Sequence, residues 1–325
     1  MKLSKMIATV LLSFSLLTGT SFAAPAWEMP SAGKSFTNDA KQIYIAQEMS
    51  KFHQSNPNFF AAPDKWTYEK FSAGETKIER LANPKQKKSK RVVLQLHGGG
   101  YIGPLSDWYR DLAVKQAVLT EAKEVFMVDY RIAPENLYPA ALDDAAKAYL
   151  ELLKRGIKSE NIIIFGDSAG GNLALELSLY LKQNALPQPA MLILISPWAT
   201  LEANLPSRTE NAKRDLILGE SNPVMNKEVA NPTYGGKIPL NDPRLSPIHA
   251  DLKDLPPMLI QIGGYELFVD EGIELLKKAT ADELNVTLSV YQGMPHDFAM
   301  LLPDLQESVD SFAEIRDFVN LHMKK

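Results

Sequence analysis

The sequence predicts an α/β protein with a mostly parallel central sheet covered by helices on both faces. Three observations lead there. From residue 91 onward, short β-branched runs recur, and segments of helical length separate them. The runs are almost uniformly apolar rather than alternating, as expected of strands buried on both faces. The chain of 325 residues is 45% hydrophobic and 23% charged, enough for one large core.

The elements follow in order. Residues 36–54 carry apolar side chains at roughly helical spacing and stop at "NPN". Residues 66–82 alternate weakly and suit two edge strands. The basic run Lys85 to Arg91 reads either as a polyanion patch or as a solvated turn between strands, and a net charge of −4 favours the turn. Strands are then expected at 91–96, 125–129, 162–165, 191–195 and 258–262, with an amphipathic last strand at 286–291. Helices are expected at about 107–122, 139–155, 170–183, 270–284 and 305–322. Residues 197–250 fit neither pattern. They are long, rich in Pro and Asn, and apolar only in patches, so they read as an excursion from the sheet that serves as a lid.

The amino terminus has the three-part layout of an export signal. Lys2 and Lys5 precede an apolar run from Met6 to Leu17, then small and polar residues follow. The run is too short to span a bilayer, which takes about 20 apolar residues. Ser21 and Ala23 place cleavage after Ala23, with Ala26 as the second choice. The expected layout is a signal peptide at 1–23, an N-terminal cap segment at 24–65 and a catalytic domain at 66–325. The expected location is periplasmic or secreted, with no stable membrane insertion after cleavage. The chain has no cysteine, which excludes disulfides, thiolate metal sites and a cysteine nucleophile. Its acidic balance gives no reason to expect nucleic acid as a partner.

The sharpest chemical signal is "IIIFGDSAGGNLALELSLYL", residues 162–181. It sets Gly166-Asp167-Ser168-Ala169-Gly170 between a strand and a helix, the arrangement of a nucleophile elbow. A phosphate-binding turn would need a P-loop lysine or dinucleotide-type glycine spacing, and both are lacking. A serine needs a base. The chain has five histidines, and only His296, in "YQGMPHDFAM", lies in a loop after the last strand. The base in turn needs an acid. "IQIGGYELFVDEG" offers Glu266 just past a strand and Asp270 near the start of a helix; Glu266 is favoured and Asp270 stays as its rival. The glycines of "RVVLQLHGGGYIG" then have a reason. An oxyanion requires backbone donors free of a blocking Cβ, which Gly99 and Gly100 supply, with Ala169 adding a third. Tyr101, Trp108, Phe36, Met225 and Tyr234 are expected to crowd the pocket and favour short acyl chains.

"HGGGYIG", "VDYRIAPENLYPAALDDA", "GDSAGGNLA", "ISPW" and "MPHDF" together resemble the hormone-sensitive-lipase branch of the α/β-hydrolases, over roughly residues 90–320. The resemblance implies an α/β-hydrolase fold with a helical cap. It implies a serine carboxylesterase that uses Ser168, His296 and an oxyanion hole of Gly99, Gly100 and Ala169, with a small ester as substrate and no metal or other cofactor. Many members place Asp-Pro-Leu where this chain has Glu266, which keeps Asp270 in contention. His97, Tyr130, Arg131, Pro139 and Asp144 match positions that shape the fold. By analogy a homodimer through the last strand and helix is a candidate. The same machinery would serve a deacetylase, lactonase or amidase. A binding protein on this fold, such as the plant gibberellin receptor, lacks the triad histidine, whereas this chain has a candidate for every role.

Overall fold

A computed structural model describes residues 27–54 and 59–323. The export segment and its cleavage site lie outside the described residues. The strands are β1 (Thr67–Ala73), β2 (Thr76–Ala82), β3 (Val92–Leu96), β4 (Glu124–Asp129), β5 (Ile162–Asp167), β6 (Met191–Ile195), β7 (Met258–Gly263) and β8 (Val286–Tyr291). The helices are α1 (Asn38–Gln54), α2 (Asp107–Leu119), α3 (Ala140–Lys154), α4 (Ala169–Gln183), α5 (Ser207–Glu210), α6 (Pro223–Ala230), α7 (Val269–Ala281), α8 (Phe298–Leu301) and α9 (Gln306–His322). The elements expected from the sequence are present and differ only at their ends. The sequence gives no periodic signal for the short helices α5, α6 and α8.

Among the described residues the strands form one eight-stranded sheet in the order β1-β2-β4-β3-β5-β6-β7-β8. β1 and β2 are antiparallel to their neighbours, and every other pairing is parallel. After β3 the chain steps outward to β4, then returns to the other side of β3 for β5. The direction of winding therefore reverses between β3 and β5, and the crevice beyond their carboxyl ends is where open α/β sheets bind ligands. Leu96 pairs with Gly166 at that end, so the glycine run and the elbow leave the sheet side by side.

Alternation along the buried strands sorts the core into two layers. Val92 and Leu94 of β3, with Ile162 and Ile164 of β5, face Tyr149 of α3, Leu173 and Leu177 of α4 and Leu275 of α7. Val93, Ile163 and Phe165 face Leu112 of α2 and Phe312, Ile315 and Val319 of α9, and Ile45 and Met49 of α1 join this second layer. Each large apolar side chain so buried contributes about 1.5–3 kcal/mol. The loop after β4 is fixed by Asp144, which accepts from the Arg131 backbone N–H, the Arg131 Nε–H and the Thr76 hydroxyl at 2.8–2.9 Å. These contacts hold the Asp144 carboxyl below its ordinary range against the opposing effect of burial.

The segment 27–37 runs back to the carboxyl-terminal helix. The Gly33 N–H donates to Gln306 Oε1, and Lys34 bridges to Leu305. In α1, Gln42 Nε2 donates to the Gly293 carbonyl on the loop that leads to His296. Residues 197–250 carry α5 and α6 and lie over the carboxyl end of the sheet, where Ile217, Leu218, Asn222 and Met225 wall the cavity described next.

Candidate active site

Ser168 stands one residue past β5, at the amino end of α4, with φ 52° and ψ −120°. A non-glycine residue held there carries about 1–3 kcal/mol of strain and persists only where its surroundings fix it. The fixing contacts are visible. The Ser168 N–H donates to the Ile195 carbonyl, and the Ser168 carbonyl accepts from Gly171 and Trp198. The flanking glycines are needed for space. A Cβ on Gly166 would sit 2.3 Å from the Gly170 carbonyl oxygen, and one on Gly170 only 2.0 Å from that of Leu96.

Beyond β3 the glycine run turns sharply. Gly99 has φ 99° and Gly100 φ 63°, and the Gly99 carbonyl accepts from Ile102 and Gly103 to close the turn. No acceptor among the described residues takes the N–H groups of Gly99, Gly100 or Ala169. Unclaimed backbone donors beside a buried hydroxyl suit a developing negative charge on a substrate oxygen. Gly98 serves a different need: a Cβ there would lie 2.3 Å from Asp167 Oδ2 and 2.8 Å from the Tyr109 hydroxyl. His97 is structural. Its ring stacks on Tyr130 at 4.0 Å, Nδ1 donates to the Gly98 carbonyl at 2.8 Å, and burial pushes it down to about 4, so it stays neutral.

His296 is 1% exposed, and its Nδ1 lies 3.3 Å from Glu266 Oε2. That contact is within ion-pair range but off the line of a well-directed hydrogen bond, as is common before substrate tightens a site. Asp270 is elsewhere: its carboxylate accepts from the Ser207 N–H at 2.8 Å. The structure thus brings Ser168, His296, Glu266 and the glycine run together and leaves Asp270 as a brace between α7 and α5.

Burial alone would push the imidazolium of His296 down. The carboxylates of Asp297 and Glu266 outweigh it and hold His296 well above its ordinary value. Burial pushes Glu266 up to about 7 against the opposing contact with His296. Asp167, buried and facing Asp297, is pushed well above the carboxylate range although the Tyr109 hydroxyl donates to it at 2.8 Å.

Sequence reasoning missed three of the residues that build this site. Asp215 takes backbone N–H groups from Ile217 and Leu218 and, through Oδ2, from Leu267 at 2.9 Å, tying the excursion to the loop that carries Glu266. Ser196 accepts from the Asp297 N–H at 3.1 Å. Asp297 itself places Oδ2 3.2 Å from His296 Nε2. The "HD" pair within "MPHDF" was the only available signal for the last.

Gly99, Ser168, His296 and Asp297 line a cavity of about 280 Å³ on its sheet side. Of the bulky residues expected there, Trp108 and Met225 are in its wall. The other expected residues are packed elsewhere. Tyr101 and Tyr234 stack on each other at 3.6 Å in the core, with the Tyr101 hydroxyl bonded to Asn172, and Phe36 stacks on Tyr44. A second cavity of similar size, among Trp27, Pro63 and Lys115, shares Trp108 as a wall but contains none of the candidate site residues.

A profile of the α/β-hydrolase fold family matches residues 93–300. An esterase of Acinetobacter venetianus is 36% identical over 234 residues, 72% of this chain and 76% of that protein. An acetyl-hydrolase of Streptomyces hygroscopicus is 34% identical over 219 residues, 67% of this chain and 71% of its own. The crystal structure of an esterase from the bacterial hormone-sensitive lipase family superposes with a TM-score of 0.74 at 30% identity, covering 89% of this chain and 93% of that one.

Proposed function

The chain belongs to the α/β-hydrolase family, in its hormone-sensitive-lipase-like branch, and is a carboxylic ester hydrolase; on that premise we propose how its residues divide the work. Ser168 Oγ attacks the ester carbonyl while His296 Nε2 takes its proton. The carbonyl oxygen becomes an oxyanion met by the N–H groups of Gly99, Gly100 and Ala169. His296 returns the proton to the departing alkoxide, leaving an acyl-Ser168. Water attacks that ester with His296 again as base, and the acid leaves. Glu266 keeps the Nδ1 proton in place and balances the imidazolium formed in each half. Every proton taken from Ser168 or water is handed to the alcohol or back to Ser168, so no cofactor enters the balance.

The observation that carries this reading is the pinned, strained backbone of Ser168 in one cavity with His296 and beside the unclaimed N–H groups of Gly99 and Gly100. Wild-type enzyme should hydrolyse p-nitrophenyl butyrate and take up a fluorophosphonate, and Ser168→Ala should do neither. Ser168→Ala with unchanged turnover would overturn it.

The acyl group is short in this reading. The small cavity, walled by Trp108, Met225 and Leu218, supports it, as does the likeness to an acetyl-hydrolase. Rates on p-nitrophenyl acetate and butyrate should far exceed that on palmitate, and the reverse order would reject it. Residues 197–250 act as the lid and 24–65 as an accessory cap segment. The basic start and apolar run before Ala23 support export to the periplasm or medium. The half-buried β8, paired on one side only among the described residues, supports a homodimer through that edge.

A further inference from the structure

Asp297 occupies an unusual position. It is the N-cap of α8, in the left-handed region at φ 54°, yet its carboxylate makes no capping bond. An Asp at such a position ordinarily accepts from the first N–H groups of the helix. Here the side chain turns the other way. Oδ2 lies 3.2 Å from His296 Nε2, and Oδ1 is buried with no hydrogen-bond partner among the described residues. The residue is 8% exposed and lines the cavity. Its backbone is anchored to Ser196, so the direction of the side chain is built in.

A buried carboxylate oxygen without a donor is costly, so this corner is incomplete until something supplies one. The groups that face His296 do not. Glu266 and Asp297 are carboxylates in contact with its ring, Asp167 and Asp215 are acids acting at longer range, and Phe268 meets the ring edge-on at 5.1 Å. No Lys or Arg lines the cavity among the described residues. When His296 is neutral, as a base must be, the charge on Asp297 is unmatched. The rings of Trp108 and Tyr109 in the same wall also favour a cation nearby.

We propose, resting on the ester-hydrolase reading above, that Asp297 forms a subsite for a cationic group on the alcohol side of the substrate, so that esters of amino alcohols are the preferred class. The side follows from the chemistry. His296 Nε2 must reach the departing alkoxide oxygen, and Asp297 Oδ2 lies beside that same nitrogen. An ammonium two carbons from the ester oxygen therefore comes within reach of the carboxylate. It donates to the unpartnered oxygen and draws the charge of Asp297 away from His296, which frees the base.

The test compares dimethylaminoethyl butyrate, protonated at neutral pH, with isopentyl butyrate, its neutral isostere. Each kcat/KM is divided by the ester's own hydroxide-catalysed rate, which removes the intrinsic activation by the ammonium. Wild-type enzyme should favour the cationic ester at least about tenfold, the scale of one 1.4 kcal/mol interaction. Asp297→Asn should bring the ratio to within about threefold of unity. Equal rates in the wild type, or an undiminished preference in Asp297→Asn, would overturn the proposal. If that variant does not fold, inhibition of the wild type decides. Dimethylaminoethanol should compete at least about tenfold more tightly than isopentanol at low salt, and equal inhibition overturns the proposal. Failure of the ester-hydrolase reading looks different: isopentyl butyrate would not be cleaved and Ser168 would not take up a fluorophosphonate, and the subsite would fall with it.

Discussion

The pH dependence of the enzyme should be set by Asp297. A base is active when neutral, so the acid limb of kcat/KM marks the loss of the His296 proton. Burial opposes that proton, and the carboxylates of Asp297 and Glu266 win over it, which places the limb above the ordinary histidine value of about 6.5. Asp297→Asn keeps the size of the side chain and removes the charge 3.2 Å from Nε2. A single opposite charge at such range typically moves a titration by about 1–3 pH units, enough for the change to be read directly in the profile. The sign is fixed: with less to hold the proton, His296 becomes neutral at lower pH, and the limb moves to acid. The assay is kcat/KM for a neutral butyrate ester from pH 5 to 9, with substrate stability checked at each pH. A limb that stays in place, or moves to alkaline pH, would refute the electrostatic reasoning.

Other expectations follow from particular contacts. Glu266→Gln should lower kcat on a short ester by about 10³–10⁴, because the buried amide stabilises neither the correct tautomer nor the imidazolium, while Asp270→Asn should stay within about threefold of wild type. The opposite ranking would make Asp270 the acid. Asp215→Asn presents an NH₂ to backbone donors that now meet a carboxylate, so it should cost about 1–3 kcal/mol in urea unfolding and lower kcat by loosening the loop of Glu266. Unchanged kcat would detach Asp215 from the site. Gly170→Ala drives a Cβ into the backbone of Leu96 and His97, so it should lose about 3 kcal/mol or more and most activity. Gly156→Ala, with φ 84° but open space, should cost only about 1–2 kcal/mol and spare turnover, as a melting and rate comparison would show.

What the sequence made legible has a common physical cause. The two core layers follow from uniform apolar runs such as "VVLQL" and "IIIF", which leave no solvated face for a strand to show. Ser168 and the glycines were readable because backbone geometry restricts those positions to few residue types, and His296 because, of the two histidines after the last strand, it alone lies in a loop while His322 ends the terminal helix. Glu266 was half-legible. Two acids share one loop, and only the fold reveals that Asp270 is taken by Ser207 while Glu266 reaches the ring. Asp215 was not legible, since an acid in a polar, aperiodic stretch looks like any solvated Asp until the chain folds three N–H groups around it. The aromatic residues misled for a related reason. Tyr101 directly follows the glycines, but its φ of 61° sends the side chain down into the core, where it meets Tyr234 rather than substrate.

The most direct test of the central claim is to trap the acyl group. Wild-type enzyme mixed with excess p-nitrophenyl butyrate and quenched in acid should, by peptide mass spectrometry, carry one butyryl group on Ser168, with a burst of p-nitrophenol of matching amount. Ser168→Ala should show neither. A burst without an adduct on Ser168, or an adduct on another residue that turns over as fast as the ester is cleaved, would contradict the account.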